Sequence, residues 1–179
     1  MYPQRNSAKR AAPLLTAPLV AALLLGGCGG GGSKETQSHR VVGAGFSVAV
    51  PNGWAVERSA RALTVKQSSG PALASVTVLT LRKPYRPELF AGAARELDRV
   101  SGALAAKLGG KVIARRTIVV GGMKARQYDL AYERAGSGLI DRITYVLRGK
   151  SEYYLLCRWR ADEGQPQACA LLTSSFRLR

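Results

Sequence analysis

KVIARRTIVVGGMKARQYDLAYERAGSGLIDRITYVLRGKSEYYLLCRWR, residues 111–160, reads as four extended runs cut by three glycine-bearing joins. The runs are Lys111 to Val120, Lys124 to Arg134, Leu139 to Arg148 and Glu152 to Arg160. The joins are Gly121-Gly122, Gly136-Ser137-Gly138 and Gly149-Lys150-Ser151. β-Branched and aromatic side chains favour a pleated backbone, and joins this short connect antiparallel neighbours. The segment therefore predicts an antiparallel meander. In the last run the odd positions Tyr153, Leu155, Cys157 and Trp159 are apolar or aromatic, and so are the even positions Tyr154 and Leu156. A strand apolar on both sides is covered on both faces, at least in part.

Upstream, Phe46 to Val50 alternates and stops at the turn signal Pro51-Asn52-Gly53. Trp54 to Glu57, Ala62 to Val65 and the β-branched run Leu73 to Leu81 add further strands. One segment is helical. Pro87 suits a first helical turn and Glu88 complements the positive end of the dipole. Phe90, Ala93, Ala94, Leu97, Val100, Leu104 and Leu108 recur at helical spacing until Gly109-Gly110 stops them. That stripe predicts a face laid on the sheet. A shorter helix is expected from about Gln165 to Ser174, carrying Ala168, Leu171 and Leu172. The predicted fold class is α+β: an antiparallel sheet of about six or seven strands flanked by one long and one short helix.

The chain has 179 residues and a net charge of +16, a length that suits one ordinary domain plus an extension. The extension has the layout of a secretory signal. Arg5, Lys9 and Arg10 form a positive start, no charge occurs from Ala11 to Ser33, and Leu14-Leu15 and Leu19 to Leu25 form an apolar centre ending in Gly26-Gly27. Two prolines and a run of glycines argue against a spanning helix of about 20 apolar residues. Leu25-Gly26-Gly27-Cys28 resembles the lipobox of bacterial lipoproteins. The resemblance implies cleavage before Cys28 and its lipidation, with two acyl chains giving a stable membrane hold where one does not. The expected organisation is a signal peptide over residues 1–27, a Gly/Ser/polar linker over 28–39 with a reach of roughly 20 Å, and a single domain over 40–179. The expected place is extracytoplasmic, lipid-anchored to the outer face of the cell membrane or facing the periplasm.

Phe46-Ser47-Val48-Ala49-Val50-Pro51-Asn52-Gly53-Trp54, the later Val119-Val120-Gly121-Gly122-Met123-Lys124-Ala125-Arg126 and the closing Ser174-Ser175-Phe176-Arg177 resemble PsbP/Mog-type domains. That group includes the extrinsic PsbP subunit of photosystem II, the yeast Ran-binding Mog protein and Lpq-type envelope lipoproteins of mycobacteria. The resemblance spans about residues 40–179 and implies an α/β/α sandwich around an antiparallel sheet. It implies no shared activity, because members of the group are mainly binding and assembly factors with unrelated partners, and it carries no functional residues over.

With Cys28 assigned to lipid, Cys157 and Cys169 remain, and outside the cytoplasm two such thiols are usually bonded. A bridge between them would staple the short helix to the last strand. The chain holds one histidine, His39, on the expected linker, where no base is positioned for catalysis. Gly136-Ser137-Gly138 lacks the spacers of a nucleophile elbow, and Gly43-Ala44-Gly45 lacks the third glycine of a dinucleotide fingerprint. Asp129, Glu133 and Asp141 could face one another across strands, but Arg126, Arg134 and Arg142 nearby make cross-strand ion pairs the expectation. No metal-ligand spacing is present, so neither a metal site nor a cofactor is expected. Basic residues concentrate at Arg82-Lys83-Pro84-Tyr85-Arg86, Arg115-Arg116, Arg158/Arg160 and Arg177/Arg179. For an exported protein the matching anions are lipid headgroups and acidic envelope polymers rather than nucleic acid; the alternative is a solvated basic surface that merely reflects composition. The expected function is a non-catalytic binding or assembly module engaging another envelope protein or a glycolipid. The alternative is a carrier of a lipid or small apolar ligand in a cavity between sheet and helix, with Tyr128, Tyr132, Tyr145, Tyr154 and Trp159 as its linings unless they pack the core. A hydrolase built on Asp129 or Asp141 is the remaining class.

Overall fold

The computed structural model describes residues 37–179. The signal segment, Cys28 and most of the expected linker lie outside them. The chain order is β1 (Ser38–Gly43), β2 (Phe46–Pro51), β3 (Ala55–Arg58), β4 (Ala62–Lys66), β5 (Leu73–Tyr85), a 3-10 turn (Pro87–Leu89), α1 (Phe90–Lys107), β6 (Lys111–Val120), β7 (Met123–Arg134), β8 (Ser137–Arg160), α2 (Gln167–Ser174) and β9 (Arg177–Leu178). The expected α+β class holds. The main sheet has the order β3-β4-β5-β8-β7-β6 and a small second sheet has the order β1-β2-β9. Every pairing is antiparallel.

β8 spans 24 residues, and a straight strand of that length would run about 80 Å. Instead it reverses at Gly149, whose φ is +52°. The Ala161 amide donates to the Gly138 carbonyl at 2.9 Å, and the Tyr145 and Tyr154 rings lie 5.4 Å apart. Its first arm pairs with β7 from Arg134↔Ser137 to Ala125↔Val146. Its second arm pairs with β5 from Leu73↔Arg158 to Thr80↔Ser151. The arms are the two final runs of the expected meander, and they bring the sheet to the upper end of the six or seven strands expected.

Both faces of the arms are used. Tyr153, Leu155, Cys157 and Trp159 join a core with β2, α2 and Phe176. Ile143, Tyr145, Tyr128 and Leu130 join a second core under α1. On α1 the expected stripe packs on the sheet through Leu97, Leu104 and Leu108, but its Val100 stays 45% exposed, and Ser101 and Ala105 are buried beside Leu97 instead. The small residues Ser101 and Ala105 sit in the one helical stripe, spaced four apart, that can approach the Tyr128 and Tyr145 rings closely.

Two further differences concern the ends. Among the described residues the first strand, β1, begins at Ser38, and it pairs along its whole length with β2, Ser38↔Pro51 to Gly43↔Phe46. His39 therefore lies on a strand, its Nδ1 3.0 Å from the Asn52 Oδ1, rather than in a linker. β5 runs on through Arg82 and Lys83 to Tyr85, which pairs with Gly149 after a register shift beyond Thr80.

Cys157 and Cys169 are disulfide-bonded, with 5.5 Å between their Cα atoms, and so tie α2 to the second arm of β8. Closing a loop of this length contributes about 3 kcal/mol. Replacing both cysteines by serine is expected to lower the melting temperature by roughly 6–12 °C. An unchanged calorimetric melt would show that core packing alone holds α2.

Candidate functional site

Three carboxylates are locked by arginine, Asp129 and Asp141 buried on the sheet and Asp98 partly buried on α1. Asp129 accepts from Arg142 Nε at 2.7 Å and Nη2 at 2.9 Å and also pairs with Arg116. Asp141 accepts from Arg158 Nε at 2.7 Å and Nη2 at 2.8 Å, and from the Tyr132 hydroxyl at 3.1 Å. Asp98 on α1 accepts from Arg126 Nε at 3.0 Å and from the Tyr128 hydroxyl at 2.6 Å. Cross-strand ion pairs are thus present, but with two changes from expectation. Arg126 reaches α1 rather than a β-strand carboxylate. Asp129 and Asp141 do not face each other, because Asp129 stands opposite Arg142 and Asp141 opposite Leu130, and alternation sends them to opposite faces of the sheet. Glu133 is exposed at the end of β7. A pair of carboxylates acting on one substrate needs a common side, and Asp129 and Asp141 do not share one.

Asp98 has a consequence for stability. Burial opposes its ionisation, but the Tyr128 hydroxyl and Arg126 outweigh that and hold the carboxyl below the usual Asp value. A carboxylate depressed on folding stabilises above its unfolded pKa, and the benefit is lost as pH falls through the folded pKa. Asp98→Asn should therefore flatten the acid limb of a stability–pH curve below about pH 4. An unchanged acid limb would remove Asp98 from the account.

The five aromatic residues considered as cavity linings fill space instead. Tyr128, Tyr145 and Tyr154 meet edge to face between α1 and the sheet, with centroids 5.9 and 5.4 Å apart. Tyr132 caps Asp141, with burial raising its phenol to about 12. Trp159 lies on the other face under the Arg142 guanidinium, 5.4 Å away. The region between α1 and the sheet, where the alternative reading would place a carrier cavity, is occupied by Tyr128, Tyr145 and Tyr154 with Leu97, Leu130 and Ile143.

The open site lies at one end of the sheet. There the turn between β6 and β7, the tip of β8, the end of β5 and the C-terminal strand β9 enclose a groove of about 740 Å³. Its apolar lining comes from Met123, Leu147 and Leu178, and its cations are Lys124, Arg148 and Arg177. None of its lining residues is acidic. Local chain chemistry shapes it. Gly121 and Gly122 turn with φ of +57° and +81°, and a Cβ on Gly121 would sit 3.2 Å from the Phe176 ring, so glycine is required where the turn rides over the core. Arg177 donates through Nη1 to the Ser174 carbonyl at 3.1 Å and the Phe176 carbonyl at 2.8 Å, which fixes its direction. Lys124 Nζ stands 5.9 Å from the Phe90 ring. Tyr85 lines the same groove, its phenol held above the ordinary value by burial and by Glu88.

Of the basic clusters singled out above, Arg116, Arg158 and Arg160 are consumed in ion pairs. Arg82, Lys83 and Arg86, by contrast, sit exposed on the segment that runs to the groove, and Arg179 follows β9. Sequence reading missed that the β5 cluster and the C-terminal cluster meet. Lys124, Arg148 and Lys150 lie in other runs and complete the convergence. Among the described residues no helix is long and apolar enough to cross a membrane, and no group of three or more His, Cys, Asp or Glu is placed to hold a metal.

These features define an α+β domain with two buried cores, a stapling disulfide and a basic groove at the sheet's end. No family model matches the chain, and no curated protein matches it. Among solved structures it is similar in fold to a protein from Bacteroides thetaiotaomicron, with 10% identity and a TM-score of 0.57 over 79% of this chain and 48% of that one. The chain thus spans about half the length of that protein. It also aligns with LpqN, involved in cell envelope biogenesis of Mycobacterium tuberculosis, at 13% identity and a TM-score of 0.47 over 79% of this chain and 90% of that one. A protein of unknown function from Pseudomonas aeruginosa, PA94, aligns at 21% identity and a TM-score of 0.40 over 68% and 81%.

Proposed function

We propose that the protein is a lipid-anchored, non-catalytic binding or assembly module of the cell envelope, tethered through Cys28 and engaging an envelope protein or glycolipid with the groove end of its sheet. The observation that carries this reading is the contrast in charge use. The carboxylates buried on the sheet are each saturated by arginine, whereas the groove gathers cations with no acidic residue in its lining, beside apolar surface. Saturated ion pairs are architecture, and open charge beside apolar surface is what a partner meets. The lipobox-like Leu25-Gly26-Gly27-Cys28 supports the tether.

Two measurements test the proposal. Cys28→Ala is expected to abolish fatty-acid labelling and release the protein from membranes; continued labelling contradicts the tether. A photo-crosslinking residue at Arg148 is expected to give specific envelope adducts, whereas one at Glu57, on the far strands, gives none. Equal adducts from both positions would reject the groove as the binding face.

A further inference from the structure

The groove's chemistry points to one kind of ligand. We propose that it binds an anionic phospholipid of the bilayer surface, with the phosphate on the Lys124–Arg148–Arg177 rim and the upper acyl chain along Met123, Leu147 and Leu178. This inference rests on the envelope-module reading and goes beyond it, because it gives the groove a phospholipid rather than a protein or a glycolipid.

The rim cations come from three separate elements: Lys124 is the second residue of β7, Arg148 ends the first arm of β8, and Arg177 starts β9. Among the described residues none of the three has a carboxylate within ion-pair distance, although Arg116, Arg126, Arg142 and Arg158 each do. Like charges gathered without ion-pair partners repel, and an incoming anion relieves the repulsion. Phosphate is the anion such a rim suits, because guanidinium forks match its oxygens. Arg177 is already directed by its two backbone contacts through Nη1, which leaves its remaining nitrogens for a ligand.

The apolar lining excludes the simpler occupant. Inorganic phosphate would use the rim alone and leave Met123, Leu147 and Leu178 half-exposed. A chain joined to the phosphate covers them. A groove of about 740 Å³ falls within the range of small-molecule sites, and its open shape admits a headgroup with the first part of a chain while the rest stays in the bilayer. Arg82, Lys83, Arg86 and Lys150, exposed on the neighbouring segments, add attraction to the same surface that is screened by salt.

The test uses the full chain carrying Cys28→Ala, so that no acyl anchor contributes, sedimented with phosphatidylcholine vesicles with or without one-third phosphatidylglycerol. Binding is expected only to the anionic vesicles. Lys124→Gln/Arg148→Gln/Arg177→Gln should weaken it roughly a hundredfold, at about a fivefold loss per cation. A matched triple of exposed cations elsewhere, Arg58→Gln/Arg61→Gln/Lys107→Gln, should change it by less than about threefold if the groove is specific. Leu147→Asn should weaken binding further, and dihexanoyl-phosphatidylglycerol below its micelle concentration should compete where inorganic phosphate does not. Equal loss from both triples would reduce the effect to net charge and overturn the proposal. Competition by phosphate as strong as by the short-chain lipid would overturn the acyl part, and displacement by an acidic peptide alone would reassign the groove to a protein. Fatty-acid labelling of the unmutated chain separates the two readings: labelling without vesicle binding sinks the lipid ligand alone, and vesicle binding without labelling sinks the tether alone.

Discussion

Asp141→Ala is expected to destabilise the domain by about 3–5 kcal/mol, because it strands a buried guanidinium. The Asp141 side chain is 5% exposed and that of Arg158 is 21% exposed. Two parallel hydrogen bonds join them across the arms of β8, and the Arg158 guanidinium, held above its ordinary pKa first by that carboxylate, also stacks 5.8 Å from the Tyr132 ring. Removing the carboxylate leaves an ion that cannot neutralise itself by losing its proton. The desolvation cost of Arg158 then stands uncompensated, while Tyr132 loses its acceptor. The companion variant Asp141→Leu/Arg158→Met removes both charges at similar volume and should recover most of the loss. Urea denaturation of the two variants decides the matter. If the double variant is as unstable as the single one, an unpaired charge is not the cause. If the single variant loses less than about 1 kcal/mol, the pair behaves as a surface ion pair.

That pair also shows how far the chain can be read without coordinates. The strand pattern of residues 111–160 was legible because alternation and paired glycines are local signals, and β6 runs over Lys111–Val120 as the residues predict. Cys157 with Cys169 was legible because only two thiols remain once Cys28 is set aside. Partner choice was not. Arg126, Arg134 and Arg142 all lie near the meander carboxylates in sequence, yet Arg126 leaves for Asp98, 28 residues away, and Asp141 takes Arg158 instead. Which face a residue takes depends on pairing register, a non-local quantity that a single slip inverts. β1 escaped for a different reason. Ser38, His39 and Arg40 are polar because β1 is an outer strand of the small sheet, and an edge strand carries little apolar signal. The groove was invisible in sequence because its cations lie in β7, β8 and β9, segments that only the sheet order brings together.

The sheet order also binds the groove to the core, through Phe46. This residue is fully buried, stacks on Phe176 with centroids 5.8 Å apart and meets Tyr153 edge-on at 6.2 Å. A Cβ on Gly43 would collide with its ring, so β1 closes directly over it. Its backbone pairs with Leu178 in β9, and the Arg179 amide donates to the Gly45 carbonyl at 3.0 Å. Phe176 in turn supports the Gly121 turn from below. One ring therefore carries two walls of the groove, β9 and the β6–β7 turn. Phe46→Ala is expected to cost about 3–5 kcal/mol, the transfer energy of the ring plus the cavity left among aromatic neighbours that cannot all collapse into it. Phe46→Leu, which keeps most of the volume, should cost about 1–1.5 kcal/mol. Beyond the global loss, hydrogen exchange at Leu178, Arg179 and Met123 should accelerate more than exchange at the Tyr128 and Ile143 amides, because the second core under α1 does not touch Phe46. If Phe46→Ala lowers stability while exchange rises uniformly across both cores, the aromatic cluster is mere packing and the groove does not depend on it. If β9 and the Gly121 turn loosen first, the shape of the groove is set by a side chain that never reaches its surface.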